Sequence, residues 1–228
     1  DLLPAVEISP FELAETVEKG YYSLHRVYKV VFKEEDMVRP KGDFPFELED
    51  YYRQPEKYYP VTENYLPYLN VLINAVFWTP KYPKFVTRAF LKKLYAGDAQ
   101  PRLQVIGDIT CDINGSIECT VRATDSERPV YVFDPVSGQT TDGFEGRGPV
   151  VMAVYNLPAE LPLESSTYFS QQLKAYIPNL AQADFQQPFE TIELEPVLKR
   201  AVIAYRGELT PDYKYLAEYL KDVKSDNS

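Results

Sequence analysis

The sequence predicts an α/β fold: a parallel sheet flanked by helices. Three observations carry that prediction. The runs YLNVLINAVFW, residues 68–78, and LQVIGDI, residues 103–109, are almost continuously apolar, the pattern of strands buried on both faces. Between them VTRAFLKKLYAG, residues 86–97, has the period of a helix, with Thr87 as its candidate cap and Gly97 past its end. Strand, helix and strand at this spacing make a βαβ unit, whose strands are parallel neighbours. Finally, PVYVFD, residues 129–134, and PVVMAVYNLP, residues 149–158, add two further strands.

The remaining elements are read in chain order. Ser9 is a candidate N-cap, with Pro10 at the first helical position, Glu12 three residues past the cap and Gly20 beyond the end. RVYKVVF, residues 26–32, alternates enough to be a strand. From residue 33 to 67 no period survives, and Pro, Tyr and charges mix. That composition predicts an ordered loop with one helical turn at residues 46–52. The last third is expected to be helical. Phe169, Leu173, Tyr176, Ile177 and Leu180 share a stripe. A terminal helix opens at Thr210 and Pro211 and should turn Tyr215, Leu216, Tyr219, Leu220 and Val223 inward, before a frayed KSDNS tail.

Composition narrows the function. A net charge of -10 opposes binding to a polyanion, so nucleic acid is not expected as a partner. No apolar run approaches the roughly 20 residues that span a bilayer, so no membrane is expected either. Two cysteines, Cys111 and Cys119, and one histidine, His25, do not make a disulfide framework or a zinc site. The thiols are expected to be small buried residues, and His25 a surface or loop residue.

The candidate chemistry lies at strand tips. In GDITCDINGSIE, residues 107–118, an apolar run stops at Asp108, Asp112 follows four residues later, and Asn114-Gly115 signals a tight turn. Taken alone, an acid after a strand is more often an Asx-turn or a cap. A divalent-cation site lacks a third ligand at suitable spacing. Asn74 ends one apolar run and Asn156 follows another. Ligands of open parallel sheets bind at the carboxyl ends of the strands, so Asn74, Asp108 and Asn156 would converge on one crevice.

The ordered set VLINAVFWTPKYPKFVTRAFLKKL, VIGDITCDINGSIE and VYNLPAELPLESSTYFSQQL resembles the C-terminal half of the alanine dehydrogenase/transhydrogenase superfamily, and within it the saccharopine-forming lysine-ketoglutarate reductase branch. The resemblance runs from about residue 10 to about residue 220. It implies a partial Rossmann-like portion over residues 1–155, with the extended loop at 33–67, and a helical part over 156–228 that returns to the catalytic lobe. It also implies a nicotinamide cofactor, NADP or NAD. Ile73, Asn74 and Ala75 would lie along it, largely through backbone; Asp108, Ile109, Thr110 and Cys111 near the nicotinamide and its ribose; Asn156 against cofactor or substrate. Asp112 would take the catalytic acid's place.

Ile113-Asn114 replaces the Gln-Gly of alanine dehydrogenases, which favours the saccharopine branch over pyruvate reduction. The substrates implied are lysine, 2-oxoglutarate and saccharopine, with Arg122 or Arg147 as possible contributors to their binding. The family's Gly-rich phosphate turn is absent: GFEGRG, residues 143–148, precedes a strand and fails the context of that motif. The chain is therefore expected to work with a missing N-terminal half of the same enzyme, in the cytoplasm or, in a eukaryote, the mitochondrial matrix, with a homo-oligomer as an open option. A non-catalytic binding or assembly module and an amino-acid dehydrogenase of the alanine type are the alternatives.

Overall fold

The computed structural model describes residues 4–97 and 99–220. The chain divides into two compact units, Asp1–Glu160 and Leu161–Ser228.

The first unit opens with β1 (Ala5–Glu7), α1 (Pro10–Glu18) and β2 (Val27–Lys29); β1 and β2 pair in parallel. α1 starts where the sequence places it. The Ser9 backbone N–H and hydroxyl both donate to the Glu12 carboxylate, at 2.9 and 2.7 Å, and Gly20 takes a left-handed φ of 68° beyond the end. His25 is exposed in a turn, as expected.

The segment expected as a loop is richer than its sequence suggests. It holds α2 (Glu34–Met37), β3 (Val38–Pro40), α3 (Leu48–Arg53) and β4 (Tyr58–Pro60), with β3 and β4 antiparallel. α3 lies where the single helical turn was expected. Its Met37, Val38, Tyr51 and Tyr58 form a second core cluster together with Phe85 from beyond the segment. Edge-to-face rings do much of that packing: Tyr51 and Tyr58 centroids lie 5.3 Å apart at 80°. Three-residue strands leave too short a run for alternation to register, which is why the sequence shows no period there.

The main sheet follows. β5 (Val71–Asn74), α4 (Arg88–Leu94) and β6 (Val105–Asp108) form the expected βαβ unit, with Asn74 level with Asp108 across the parallel pair. Thr87 caps α4 by accepting from Phe90 N at 3.1 Å. α4 ends at Leu94, before the expected stop at Gly97.

β7 (Val130–Phe133), β8 (Thr140–Asp142) and β9 (Val150–Met152) complete a five-stranded sheet of order β5-β6-β9-β7-β8. β5, β6 and β9 are parallel; β7 is antiparallel to both of its neighbours. No helix carries the chain across the sheet between β6 and β7, so it re-enters at the end where it left. The Gly-rich segment GFEGRG is where the chain passes back over β7 to begin β9. A Cβ on Gly148, at φ 146°, would sit 1.8 Å from the Phe133 carbonyl oxygen.

Ile106, Leu91, Tyr131, Phe133 and Val151 centre the core, so α4 covers one sheet face. β6 is buried as predicted. β5 is not: it is an edge strand, and Val71 and Ile73 are 50% and 60% exposed.

The second unit contains α5 (Pro162–Lys174), α6 (Ile177–Gln182), α7 (Pro196–Ala201) and a hairpin of β10 (Ala204–Tyr205) and β11 (Glu208–Leu209). The two-residue hairpin loop, Arg206-Gly207, has positive φ at both positions, matching the right-handed twist of its strands. Tyr205 Oη donates to the carbonyls of Phe185 and Gln187, at 2.9 and 2.8 Å.

The expected terminal helix is instead a tight 3-10 turn, Pro211–Glu218, with Tyr215 and Tyr219 exposed. Three residues per turn spread positions i and i+4 around the axis, which dissolves the expected inner face. The stripe through Phe169 and Ile177 is likewise exposed. Val223 and the KSDNS tail lie outside the described residues. No helix among the described residues is long and apolar enough to cross a membrane.

Candidate functional site

β5 and β6 are parallel and level, so their last residues place two polar side chains next to each other inside the fold. Asn74 Nδ2 donates to Asp108 Oδ1 at 2.7 Å and to Ser116 Oγ at 3.0 Å. Thr120 Oγ1 donates to the other Asp108 oxygen at 2.6 Å. Asp108 is 1% exposed, and Asn74, Ser116 and Thr120 are also buried. The carboxylate faces inward and both of its oxygens are occupied by protein donors. Such a group holds a structure together, because a buried charge is tolerated only when its lone pairs are met.

What Asp108 holds is the loop beyond it. Ile109 N bonds to the Asn74 carbonyl at 2.8 Å, and Thr110 Oγ1 to the Val76 carbonyl at 2.9 Å. Cys111 and Asn114 both adopt left-handed backbone, at φ 55° and 53°, an unusual setting for a non-glycine such as cysteine. Gly115 closes the turn because a Cβ there would meet Asp112 Cβ at 2.5 Å. Arg88 at the start of α4 straps the far side: its backbone N and side-chain Nη2 reach Glu118 Oε2 at 2.8 Å and Asn114 Oδ1 at 2.5 Å. Lys84 Nζ reaches Glu118 Oε1 at 2.7 Å.

The result is a fixed crook whose tip is Asp112. Among the described residues, neither the Asp112 carboxylate nor the backbone N–H groups of residues 110–113 have a protein hydrogen-bond partner. Burial raises the Asp112 pKa above its ordinary value, and the Asp108 charge adds to the effect. Burial pushes the Cys111 thiol up too, with both acids contributing, so Cys111 is no thiolate nucleophile at neutral pH. Cys119 is buried, with its thiol pushed up to about 12 by burial. No cluster of metal-ligating side chains occurs among the described residues.

The other sequence candidates sit apart. Ile73 is exposed on the open face of β5, and Ala75 lines a separate aromatic cavity. Asn156 is exposed and its carbonyl accepts from Ala159 N at 3.0 Å, opening a tight turn. No hydrogen bond joins it to the Asn74–Asp108 network among the described residues. Arg147 Nη2 caps the end of α4 at the Tyr95 and Gly97 carbonyls, 2.7 and 2.9 Å away. Arg122 pairs with Asp142 and lies over the Tyr131 ring. Ser116 and Thr120 were not singled out from sequence. Ser116 lies within the stretch that holds the two acids and Thr120 two residues past it, but nothing local marks a hydroxyl as buried.

The family model described as alanine dehydrogenase/PNT, C-terminal domain, matches residues 57–212, which include every residue of this network. The chain belongs to that family. Among relatives, alpha-aminoadipic semialdehyde synthase of Arabidopsis thaliana is 36% identical over 233 residues, covering 96% of this chain and 21% of the relative. The mitochondrial alpha-aminoadipic semialdehyde synthase of Bos taurus is 33% identical over 227 residues, covering 94% and 24%. The chain thus spans under a quarter of the length of these relatives. A solved L-alanine dehydrogenase aligns over 95% of this chain and 47% of its own, at 17% identity and a TM-score of 0.49.

The residues present fit one end of a nicotinamide nucleotide. A crook with unpartnered amides and one unpartnered carboxylate, outside the carboxyl ends of parallel strands, suits a carboxamide and a ribose. This alanine dehydrogenase/PNT chain has no G-x-G-x-x-G turn in its sequence.

Proposed function

We propose that the chain is part of a nicotinamide-dependent reductase of lysine degradation, which reduces the imine of lysine and 2-oxoglutarate to saccharopine. One observation carries the reading. The similarity to alpha-aminoadipic semialdehyde synthases runs through nearly the whole chain, and in this chain the inward Asn74–Asp108 pair presents Asp112.

In this reading the amides of residues 110–113 and the Asp112 carboxylate hold the nicotinamide end, while Ile109 and Thr110 pack beside it. The cofactor, NADP or NAD, supplies hydride when bound. Asp112, its pKa raised by burial, serves as proton partner to the imine nitrogen, since a carboxyl poised toward neutrality exchanges protons more readily than an ordinary one. Asn156 would reach substrate or cofactor from the β9 side.

A partner half of the same enzyme would supply the diphosphate cradle and cover the open β5 edge. The exposed Val71 and Ile73 support this, because an uncovered apolar strand edge invites pairing. In a eukaryote the compartment would be the mitochondrial matrix; the name of the Bos taurus relative carries the word mitochondrial.

The test is nicotinamide oxidation by the enzyme that carries this chain. Turnover with lysine plus 2-oxoglutarate, and none with pyruvate plus ammonia, is the expected result. The reverse preference would make it an alanine-type dehydrogenase.

A further inference from the structure

A cavity of about 340 Å³ lies beside the candidate site, within the first unit. Its walls are largely aromatic, with Phe32, Tyr51, Trp78 and Tyr82 among them, and Glu34 is its one charged lining residue. Tyr52, which also lines the cavity, donates through Oη to Glu34 Oε1 at 2.6 Å. The same bond pushes the Tyr52 phenol up to about 12, so it remains a donor at neutral pH. Ring faces attract ammonium groups, and a carboxylate completes the recognition of one. The chain already shows the preference. Lys81 Nζ rests 4.7 Å from the Tyr82 ring centroid, tethered to the Tyr52 carbonyl at 3.2 Å.

We propose that this cavity binds a small aliphatic primary amine, with Glu34 as counter-ion and the aromatic walls around the alkyl chain. The wall is tied to the candidate site, since Val76, which lines the cavity, accepts from Thr110 Oγ1 through its carbonyl. The inference deepens the proposed function, and rests on it, in one respect: it gives the amine substrate a place beside the Asp112 loop. Binding of an amine to the cavity does not itself need a nicotinamide.

Trp78 is the chain's single tryptophan, so its selectively excited emission reports on this cavity. The full chain is titrated with n-pentylamine and, separately, with 1-pentanol, with no nucleotide present. The expected result is a saturable response to the amine and one roughly tenfold weaker to the alcohol, the size of one charge-assisted contact. Glu34→Gln should weaken the amine by a similar factor and leave the alcohol unchanged. Lys81→Gln, which removes the ammonium that competes for the Tyr82 ring, should tighten the amine severalfold. Equal responses of the wild-type chain to amine and alcohol, or no saturable response to the amine, would overturn the proposal, and neither requires a variant to fold. With nucleotide absent, either failure is distinct from failure of the nicotinamide reading.

Discussion

Asn74 and Asp108, thirty-four residues apart in sequence, end neighbouring parallel strands at the same level and share a 2.7 Å hydrogen bond in the interior. The loop that carries Asp112 is built outward from that bond.

Removing the Asp108 carboxylate leaves the buried Asn74 amide and Thr120 hydroxyl without their acceptor. Asp108→Ala should therefore cost about 3 kcal/mol in a denaturant titration. Asp108→Asn keeps the shape and one acceptor, and should cost about 1 kcal/mol. Equal, small losses would mean that the network is not holding the loop.

Asp112 should behave in the opposite way. Its pKa is raised in the fold, so the unfolded chain releases this proton at lower pH than the folded chain. Stability is therefore lost as pH rises from the ordinary 3.8 through the raised value. Asp112→Asn removes that loss: its melting temperature should match wild type in acid and equal or exceed it at neutral pH. In the enzyme that carries the chain, the same change should lower kcat by about a hundredfold or more. Lost stability with unchanged kcat would return Asp112 to a turn-capping role.

Glu118 has the reverse sign. Burial opposes its ionisation, but the bonds from Lys84 and from Arg88 N outweigh it and hold the pKa below the ordinary 4.5. Its contribution is present above that value and lost as pH falls through the depressed one. Glu118→Gln should cost about 1 kcal/mol at neutral pH and flatten the acid limb of a pH–stability profile.

Gly148→Ala should abolish folding or cost several kcal/mol, because the added Cβ meets the Phe133 carbonyl at 1.8 Å on backbone that only glycine adopts easily. Soluble expression and circular dichroism would show it. A stable, folded Gly148→Ala protein would contradict the close passage of this segment over β7.

The parts legible in sequence were those written in local chemistry. The Ser9 and Thr87 caps, the β5-α4-β6 unit and the acid at the tip of β6 each follow from neighbouring residues. What was not legible depends on distant pairing. Nothing in PVYVFD says that β7 runs antiparallel, since direction is fixed by where the chain re-enters the sheet. The exposure of Val71 and Ile73 was hidden because an edge strand and a central one carry the same apolar run. At the site, Asp108 was noticed as an acid beside a crevice, yet its side chain faces inward to Asn74 and Thr120. Asp108 is the last residue of β6 and shares the face of the buried Ile106 two residues before it, but a strand apolar on both faces does not mark which face is covered.

The central claim is that this crook holds the nicotinamide end of a cofactor. Isothermal titration of the enzyme that carries the chain with NADH and with NADPH, in wild type and Asp112→Asn, tests it most directly. Saturable binding of at least one nucleotide to wild type, weakened in the variant, is the expected result. Binding of neither nucleotide, or identical binding to both proteins, would contradict it.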